Sequence, residues 1–295
     1  MGELGLPKIL VAMPAYNEEK YIGSVVLQAR RYADEVIVVD DGSTDQTAQV
    51  AELAGATVIR HGENRGYGVA IQRIIAEAGK RGADTLVLLD ADSQHDPNDI
   101  PSFLKAISAG NDLVIGCRKI QRANIPLWRR AGQNVLLFLT NILSRGKLSD
   151  TESGFRAFSR KAVSQLKLKE SGMAVSAETI SVATAEGLKI AEVPIMAIYT
   201  RDGSTLNPIR HGFGVLNRVL VMISERRPLL FFGLFGGIFM VLGIIAGVMV
   251  VQTLGDRQIF QTGTALLSML FLTMGLLSVF TGIILDVLVR RLSKK

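Results

Sequence analysis

The chain has 295 residues, of which 48% are hydrophobic and 20% are charged, and it carries a formal net charge of +6 with a mean hydropathy of +0.30. This composition is too apolar for an ordinary soluble chain of this charge, and the length suggests one to two domains. The single cysteine, Cys117, excludes an internal disulfide and a cysteine metal cluster, as expected of a cytosolic domain.

Short apolar runs alternate with helical stretches over the first 200 residues. The residues before Lys8 lack the basic and apolar regions of a signal peptide. The predicted strands are Ile9–Met13, Val36–Val39, Ala56–Ile59, Leu86–Leu89 and Leu113–Gly116. The predicted helices are Glu18–Tyr32, Asp45–Leu53, Gly68–Ala78, Pro97–Ala109, Leu127–Leu143 and Ser176–Glu186. This alternation predicts an α/β fold with a mostly parallel sheet and helices on both faces.

Carboxylates stand at the carboxyl ends of two of these apolar runs. Asp40 and Asp41 end the second predicted strand, and Asp90 and Asp92 follow the fourth. Because the carboxyl ends of parallel strands meet at one edge of a sheet, we expect these side chains to lie close together. The pattern predicts a nucleotide-sugar site, and solvated loop carboxylates are the alternative.

The second acidic motif also has the ligands of a metal site. Asp90, Asp92 and the side-chain amide oxygen of Gln94 are hard oxygen donors that suit Mg²⁺ or Mn²⁺. Such a cation would neutralise the diphosphate that leaves during transfer of a sugar from its nucleotide. Since successive strand residues point to opposite faces, Asp90 and Asp92 are expected to share one side only if the chain stays extended beyond Leu89.

The segment from Pro208 to Arg227 differs from the residues on either side of it. Apolar residues recur at spacings of three and four, and they are Ile209, Phe213, Leu216, Leu220 and Ile223. Cationic or titratable residues lie largely off this stripe, and they are Arg210, His211, Arg218 and Arg226. This pattern predicts a basic amphipathic helix in the lipid headgroup region, and packing of the stripe on the preceding domain is the alternative.

Two long apolar segments close the chain. Leu229–Val251 has no charged residue and Ala265–Val289 has only Asp286, so each can cross a hydrocarbon core of about 30 Å. They predict a transmembrane hairpin rather than a pair of buried core helices. The outer flanks are basic, with Arg226, Arg227, Arg290, Arg291, Lys294 and Lys295. The positive-inside rule therefore predicts that both termini are cytosolic, and this charge needs no nucleic-acid partner.

The acidic motifs and those around them resemble family 2 glycosyltransferases of the GT-A fold. The matching pieces are Pro14-Ala15-Tyr16-Asn17-Glu18, Asp40-Asp41-Gly42-Ser43-Thr44-Asp45, Asn64-Arg65-Gly66 and Asp90-Ala91-Asp92. Three later pieces resemble the polyprenyl-phosphate branch, which includes dolichyl-phosphate mannose synthases. They are Gly116-Cys117-Arg118, Asp150–Phe155 with its Ser153-Gly154-Phe155, and Glu192-Val193-Pro194-Ile195. The resemblance covers residues 8 to 205. With the apolar patterns described above, it predicts a GT-A catalytic domain over 1–205, a juxtamembrane amphipathic segment over 206–228 and a transmembrane hairpin over 229–295 with a basic cytosolic tail.

The resemblance also implies roles for individual residues. The donor-binding residues would be Pro14, Ala15, Tyr16, Glu18, Asp40, Asp41, Asp90 and Arg201. Carboxylates accept hydrogen bonds from sugar hydroxyls or base N–H groups, and an aromatic ring covers a base face. For Pro14 and Tyr16 the alternative is simple loop packing.

A lipid-phosphate acceptor is already an anionic nucleophile, so it needs arginines in place of a general base. The resemblance implies that Arg118 and Arg129 clamp that phosphate, that Gln133 adds a hydrogen bond, and that Asp92 is the metal-binding catalytic residue. This sequence departs from the family pattern at two positions, with Thr205 where relatives commonly have lysine and Gln133 where serine is usual. Arg156 stays open between a phosphate contact and an ion pair, and Glu178 is expected to be an ordinary helix glutamate rather than a sugar ligand.

The sequence thus predicts an inverting, metal-dependent transferase of the integral membrane class. It would move a hexose from GDP-mannose or UDP-glucose to a dolichyl or undecaprenyl phosphate at the cytosolic face of the cell or ER membrane. A polysaccharide synthase with a hydroxyl acceptor is the alternative, although its Q-x-x-R-W motif is absent. An inactive membrane scaffold is a further alternative. The base, the sugar, Mg²⁺ against Mn²⁺, and the oligomeric state, homo-oligomer included, stay open.

Overall fold

A computed structural model describes residues 7–118, 134–135, 137–142, 148–196 and 208–292. The chain divides into two compact units, Met1–Val219 and Leu220–Lys295. The first unit holds a mixed sheet and its helices, and the second holds two long apolar helices. The domain boundaries expected from the sequence, at residues 205 and 228, stay predictions.

The first unit is built on a seven-stranded sheet. Its strands are β1 (Ile9–Ala15), β2 (Glu35–Asp40), β3 (Thr57–Arg60), β4 (Thr85–Leu88), β5 (Leu113–Cys117), β6 (Arg156–Ser159) and β7 (Ile190–Pro194). Their order is β3-β2-β1-β4-β6-β5-β7. Strands β3, β2, β1 and β4 are parallel, β6 is antiparallel to both of its neighbours, and β7 is parallel to β5. The predicted mostly parallel sheet is therefore confirmed.

Helices cover both faces of this sheet. They are α1 (Ile22–Ala29), α2 (Thr47–Leu53), α3 (Tyr67–Lys80), α4 (Ile100–Ser108), α5 (Arg160–Gln165) and α6 (Val175–Ala185). One core lies between the sheet and α3, α5 and α6, and the other between the sheet and α1, α2 and α4. The largest side chains of the second core include Phe103 and Phe155, which stack with their ring centroids 4.1 Å apart.

The predicted elements agree with the structure most closely where the hydrophobic pattern is strong. The first helix is shorter than predicted, since it begins at Ile22 rather than Glu18, and residues 18–21 belong to the loop after β1. The predicted helix Leu127–Leu143 lies mostly outside the described residues, although 137–142 are helical. Strands β6 and β7 were not predicted. Strand β6 has only four residues and begins with Arg156. Strand β7 lies at the edge of the sheet, and Glu192 interrupts its apolar residues.

Helix α7 (Pro208–Arg226) matches the predicted amphipathic segment. Val219, Met222 and Ile223 are buried, and Arg218 lies on the exposed side and forms an ion pair with Glu170 at 2.8 Å. Ile223, which belongs to the predicted apolar stripe, is thus one of the buried residues of this helix. The membrane contact predicted for this helix stays a prediction.

The second unit contains α8 (Pro228–Arg257) and α9 (Thr262–Leu292), which pack antiparallel. Small residues line their contact: a Cβ on Gly236 would lie 2.7 Å from the carbonyl oxygen of Gly275. Ser268 Oγ donates to the Gly243 carbonyl oxygen at 2.7 Å, and Ser278 Oγ donates to that of Phe232 at 2.8 Å. By length and composition, Pro228–Asp256 and Thr262–Val289 are candidate membrane spans.

Candidate functional site

The predicted acidic residues meet at the carboxyl ends of β1, β2 and β4. Ala15 at the end of β1 pairs with Asp40 at the end of β2, and Asp90 follows β4 by two residues. The chain runs outward from β1 to β2 and β3 on one side and to β4 on the other, so the direction of strand addition reverses between β1 and β4. Such a reversal opens a ligand crevice at the strand ends.

The loops after β1 and β2 are joined by hydrogen bonds. The backbone N–H of Asn17 donates to Ser43 Oγ at 2.9 Å, and Asn17 Oδ1 accepts from the Thr44 N–H at 2.9 Å. Asn17 has a left-handed φ of 56°, which asparagine tolerates better than most residues. The Glu18 N–H donates to Thr47 Oγ1 at 2.7 Å. These contacts make one rigid rim from the two loops.

The predicted donor-binding residues differ in their exposure on this rim. Pro14 and Ala15 are buried and Glu18 is partly exposed, whereas Tyr16 exposes 45% of its surface. An exposed ring at a strand end is available to cover a base, and this role of Tyr16 stays a prediction. Asp40 is buried and its Oδ1 accepts from the Ser43 N–H at 3.1 Å.

Asp41 holds the loop that leads into α3. Its Oδ1 accepts from the Nδ1–H of His61 at 2.6 Å and from the Arg65 N–H at 3.1 Å, and its Oδ2 accepts from the Gly66 N–H at 2.8 Å. Both carboxylate oxygens are therefore used within the protein, and the side chain is buried. This geometry makes Asp41 a residue that shapes the pocket, and its predicted contact with the donor stays a prediction.

Asp90 lies between a hydroxyl and a glycine. Its Oδ1 accepts from the Tyr67 hydroxyl at 3.0 Å. On another side, a Cβ on Gly154 would lie 2.7 Å from Asp90 Oδ1 and Cγ and closer still to Oδ2, so only glycine leaves room for this carboxylate. Burial and the charge of Asp90 raise the pKa of Tyr67 well above its usual value, so the phenol stays a neutral donor.

Asp92 lies in a turn, so the condition of a chain that stays extended past Leu89 is not met. Strand β4 ends at Leu88, residues 91–93 bend, and Ser93 adopts a φ of 62°. Asp92 Oδ1 accepts from the Gln94 N–H at 3.0 Å, which closes the turn. The turn, rather than the two-residue period of a strand, therefore brings Asp92 to the same end of the sheet as Asp90.

The electrostatics show that these carboxylates act on one another. Burial and the negative charge of Asp90 raise the pKa of Asp92. Burial, followed by the charges of Asp92, Asp45 and Asp90, raises the pKa of Glu18 to about 7. His95 does not compensate this charge, because its burial lowers its own pKa and keeps the ring neutral. The site therefore carries an excess of negative charge that a cation would relieve.

This donor set fits a divalent cation that keeps part of its shell for a ligand. In the part of the chain that the structure describes, no three His, Cys, Asp or Glu side chains converge as a complete metal site. Asp90 and Asp92, with the amide of the half-buried Gln94, supply a partial set of oxygen ligands. Mg²⁺ in particular is commonly bound by one or two carboxylates together with waters and substrate phosphates.

Arg118 lies near these carboxylates and forms an ion pair with Asp150. Its Nε donates to Asp150 Oδ2 at 2.7 Å and its Nη2 donates to Oδ1 at 2.9 Å. Burial alone would raise the pKa of Asp150, but the hydrogen bonds and charge of Arg118 outweigh it and lower that pKa. Glu192 Oε1 accepts from the Ser149 and Asp150 N–H groups at 2.7 and 3.0 Å and so supports the pair. The charges of Asp90, Asp92, Arg118 and Asp150 all act on buried His95, which places them in one neighbourhood.

Two further residues have structural roles. Arg156 is buried, and its guanidinium donates to the carbonyl oxygens of Ser153, Ser176 and Thr151 at 2.9 to 3.0 Å. Neither alternative raised for Arg156, a phosphate contact or an ion pair, describes this arrangement. Glu178 is buried and accepts from the N–H groups of residues 169 and 170, and the expectation that it is an ordinary helix glutamate stays a prediction.

Three predicted site residues lie outside the described residues, namely Arg129, Gln133 and Arg201. Conversely, the contacts of Tyr67 and Asp150 and the reason for glycine at position 154 were not predicted from the sequence. The signals were weak: Tyr67 follows the Asn64-Arg65-Gly66 motif directly, and Asp150 begins the segment that contains Gly154. Neither pattern indicates which carboxylate or cation the residue meets.

Comparison with known proteins gives consistent matches. The family described as Glycosyl transferase family 2 matches residues 10–167. The chain is 34% identical over 240 residues to the UDP-N-acetylglucosamine–dolichyl-phosphate N-acetylglucosaminyltransferase of Methanococcus voltae, covering 72% of this chain and 95% of that protein. It is 32% identical over 231 residues to the dolichyl-phosphate hexose transferase of Haloferax volcanii, covering 77% and 99%. The Mycobacterium tuberculosis glucosyl-3-phosphoglycerate synthase in complex with Mn²⁺ and UDP-glucose superposes with a TM-score of 0.58 at 26% identity, covering 74% and 78%.

Proposed function

This chain belongs to glycosyl transferase family 2 and its first unit has the GT-A fold, and from that premise we propose that it transfers a sugar from a nucleotide sugar to a polyprenyl phosphate. The observation that carries this proposal is the placement of Asp40 and Asp90 at the carboxyl ends of β2 and β4, with Asp92 in the turn that follows β4. Like charges in this arrangement suit a divalent cation and, with it, the diphosphate of a donor.

The donor would lie along the strand ends from β2 to β4. Tyr16 would cover the base, Asp40 would accept from base or ribose groups, and the rim made by Pro14, Ala15 and Glu18 would close the pocket. Asp90, Asp92 and Gln94 would hold Mg²⁺ or Mn²⁺, which when bound offsets the charge that develops on the departing diphosphate. The structure in complex with Mn²⁺ and UDP-glucose supports this placement by its similar fold.

The acceptor is proposed to be a lipid phosphate because two relatives are named for dolichyl phosphate. An oxygen of that phosphate would attack the anomeric carbon in line, the bond from this carbon to the diphosphate oxygen would break, and the configuration would invert. The phosphate is already anionic, so no base is needed to remove a proton. Arg118, oriented by Asp150, would bind the phosphate together with Arg129 and Gln133, and Arg201 would contact the donor diphosphate.

The membrane location is part of the proposal. Helices α8 and α9 are candidate spans, and basic residues flank their outer ends. We propose that they form a transmembrane hairpin with the first unit and both termini on the cytosolic side, and that α7 lies in the headgroup region. A polyprenyl chain resides in the bilayer, so this arrangement would bring the lipid phosphate to the protein.

The test is a transfer assay with the full chain in detergent. Labelled GDP-mannose, UDP-glucose or UDP-N-acetylglucosamine is incubated with Mn²⁺ and a polyprenyl phosphate, and the label is extracted into organic solvent. We expect an acid-labile labelled lipid with one of these donors, lost in Asp92→Ala and retained in the control Asp256→Ala, whose aspartate is exposed in α8. Label that appears only in water-soluble polymer would instead establish a hydroxyl acceptor and overturn the proposal.

A further inference from the structure

Tyr67 contacts the carboxylate of Asp90 from within the protein. It is the first residue of α3, and its hydroxyl donates to Asp90 Oδ1 at 3.0 Å. A hydrogen bond from a neutral hydroxyl to an ionised carboxylate is stronger than one between neutral groups. Tyr67 therefore restrains the orientation of one of the two carboxylates that the proposed function gives to the metal.

The backbone on each side of Tyr67 is itself held in place. The preceding residue, Gly66, has a φ of 99°, which favours glycine, and its N–H donates to Asp41. The following residue, Gly68, donates its N–H to the Ser171 carbonyl oxygen at 2.8 Å, and a Cβ at Gly68 would overlap the carbonyl oxygen of Glu170. The start of α3 is thus pinned between two loops, so the phenol approaches Asp90 from a fixed position.

Gly154 also restricts the position of Asp90. Gly154 lies so close that no side chain fits between it and the carboxylate. The next residue, Phe155, is fully buried and stacks on Phe103, which fixes the backbone at this point. Asp90 therefore has a phenol on one side and a rigid glycine backbone on another, and these together select its side-chain conformation.

We propose that Tyr67 is a positioning residue that holds Asp90 ready for a divalent cation. The inference rests on the proposed function, since it assumes that Asp90 is a metal ligand. Groups that hydrogen-bond to metal ligands typically change metal affinity by about 10-fold to 100-fold when removed. Without the hydroxyl, Asp90 would gain rotational freedom that the cation must then restrict on binding, so the affinity falls.

The experiment compares Tyr67→Phe with the wild-type chain. Free Mn²⁺ is measured by electron paramagnetic resonance while Mn²⁺ is titrated into the detergent-solubilised full chain with UDP or GDP present. The matched control is Tyr32→Phe, which removes a hydroxyl that donates to Asn98 Oδ1 at 2.9 Å, in contacts that involve none of the site residues. A second hydroxyl-free variant, Tyr67→Leu, covers the case in which Tyr67→Phe folds poorly, and thermal unfolding checks each variant.

We expect the Mn²⁺ dissociation constant to rise about tenfold or more in both Tyr67 variants and to stay unchanged in the control. The Mn²⁺ concentration for half-maximal transfer should rise likewise, with kcat largely recovered at saturating Mn²⁺, whereas a general structural defect would lower transfer at every concentration. Wild-type affinity in folded Tyr67→Phe would overturn this inference and leave the proposed function standing. Failure of the wild-type chain to bind Mn²⁺ with either nucleotide would overturn both.

Discussion

Gly154→Ala should displace the Asp90 carboxylate while leaving the fold in place. The new Cβ would lie 2.7 Å from Asp90 Oδ1 and Cγ and closer to Oδ2, against ordinary contacts of 3.4 to 4 Å. Gly154 has no positive φ, so alanine brings no backbone strain. The atoms it meets belong to the end of one side chain, and that side chain is the one that can move. The substitution therefore acts mainly on the position of Asp90.

The size of the effect follows from the required movement. Restoring ordinary contact needs a shift of about 1 Å in the carboxylate, and misplacement of a catalytic group by that distance typically costs about 100-fold in rate. This factor corresponds to about 2.7 kcal/mol of lost transition-state stabilisation. The free energy of unfolding should change by about 1 kcal/mol or less, because the new methyl group has space once Asp90 has moved.

The assay is sugar transfer to polyprenyl phosphate at saturating Mn²⁺, with thermal unfolding measured on the same samples. Gly79→Ala in α3 is the matched control, since its Cβ would meet only Val163 Cγ1 at 3.7 Å. That variant should keep wild-type transfer and gain a little stability from helix propensity. Wild-type transfer by a stably folded Gly154→Ala would contradict this prediction, because the overlap with Asp90 would then have no consequence for the site.

Three other predictions concern stability. Asp41→Asn should lower the free energy of unfolding by about 1 to 3 kcal/mol, because the amide cannot accept all the hydrogen bonds that fix the loop before Gly66. An unchanged midpoint of unfolding in a denaturant titration would contradict this prediction. The pKa of Glu18 is about 7 in the folded chain against an ordinary 4.5, so the folded chain binds this proton more tightly than the unfolded chain does. In EDTA, the contribution of Glu18 to stability should therefore fall by about 1 kcal/mol, after solvent screening, as pH rises from 4.5 to 7, and then level off. Thermal melts of Glu18→Gln should lack this pH-dependent component. Gly236→Ile should weaken the packing of α8 on α9 by about 1 to 3 kcal/mol, because its side chain would overlap the Gly275 carbonyl oxygen, and a wild-type melting temperature in detergent would argue against that contact.

Much of the fold follows from local pattern. The β-branched run Glu35–Asp40 forms a strand because its residues suit a buried pleated surface, and the amphipathic pattern after Pro208 forms a helix. The two long apolar C-terminal segments form helices as predicted. Each of these features depends on residues close together in the chain, so the sequence alone was sufficient to predict them.

The carboxylates of the site were also predictable, since their position depends on where parallel strands end. Asp40 and Asp90 lie at one sheet edge for this reason. The path by which Asp92 reaches that edge was not predictable from alternation. It depends on the left-handed turn at Ser93, which the hydrophobic pattern does not encode.

The class of fold, the order of the motifs and the position of the acidic residues at one sheet edge were predictable from the amino-acid sequence, because they depend on short-range patterns and on the rule that parallel strand ends converge. The contacts of Tyr67 and Gly154 with Asp90, and of Arg118 with Asp150, became visible only in the folded chain. These contacts join residues 23 to 64 positions apart, and their partners depend on how helices and loops pack against the sheet. Packing of that kind is a property of the whole folded unit, and no local sequence signal specifies it.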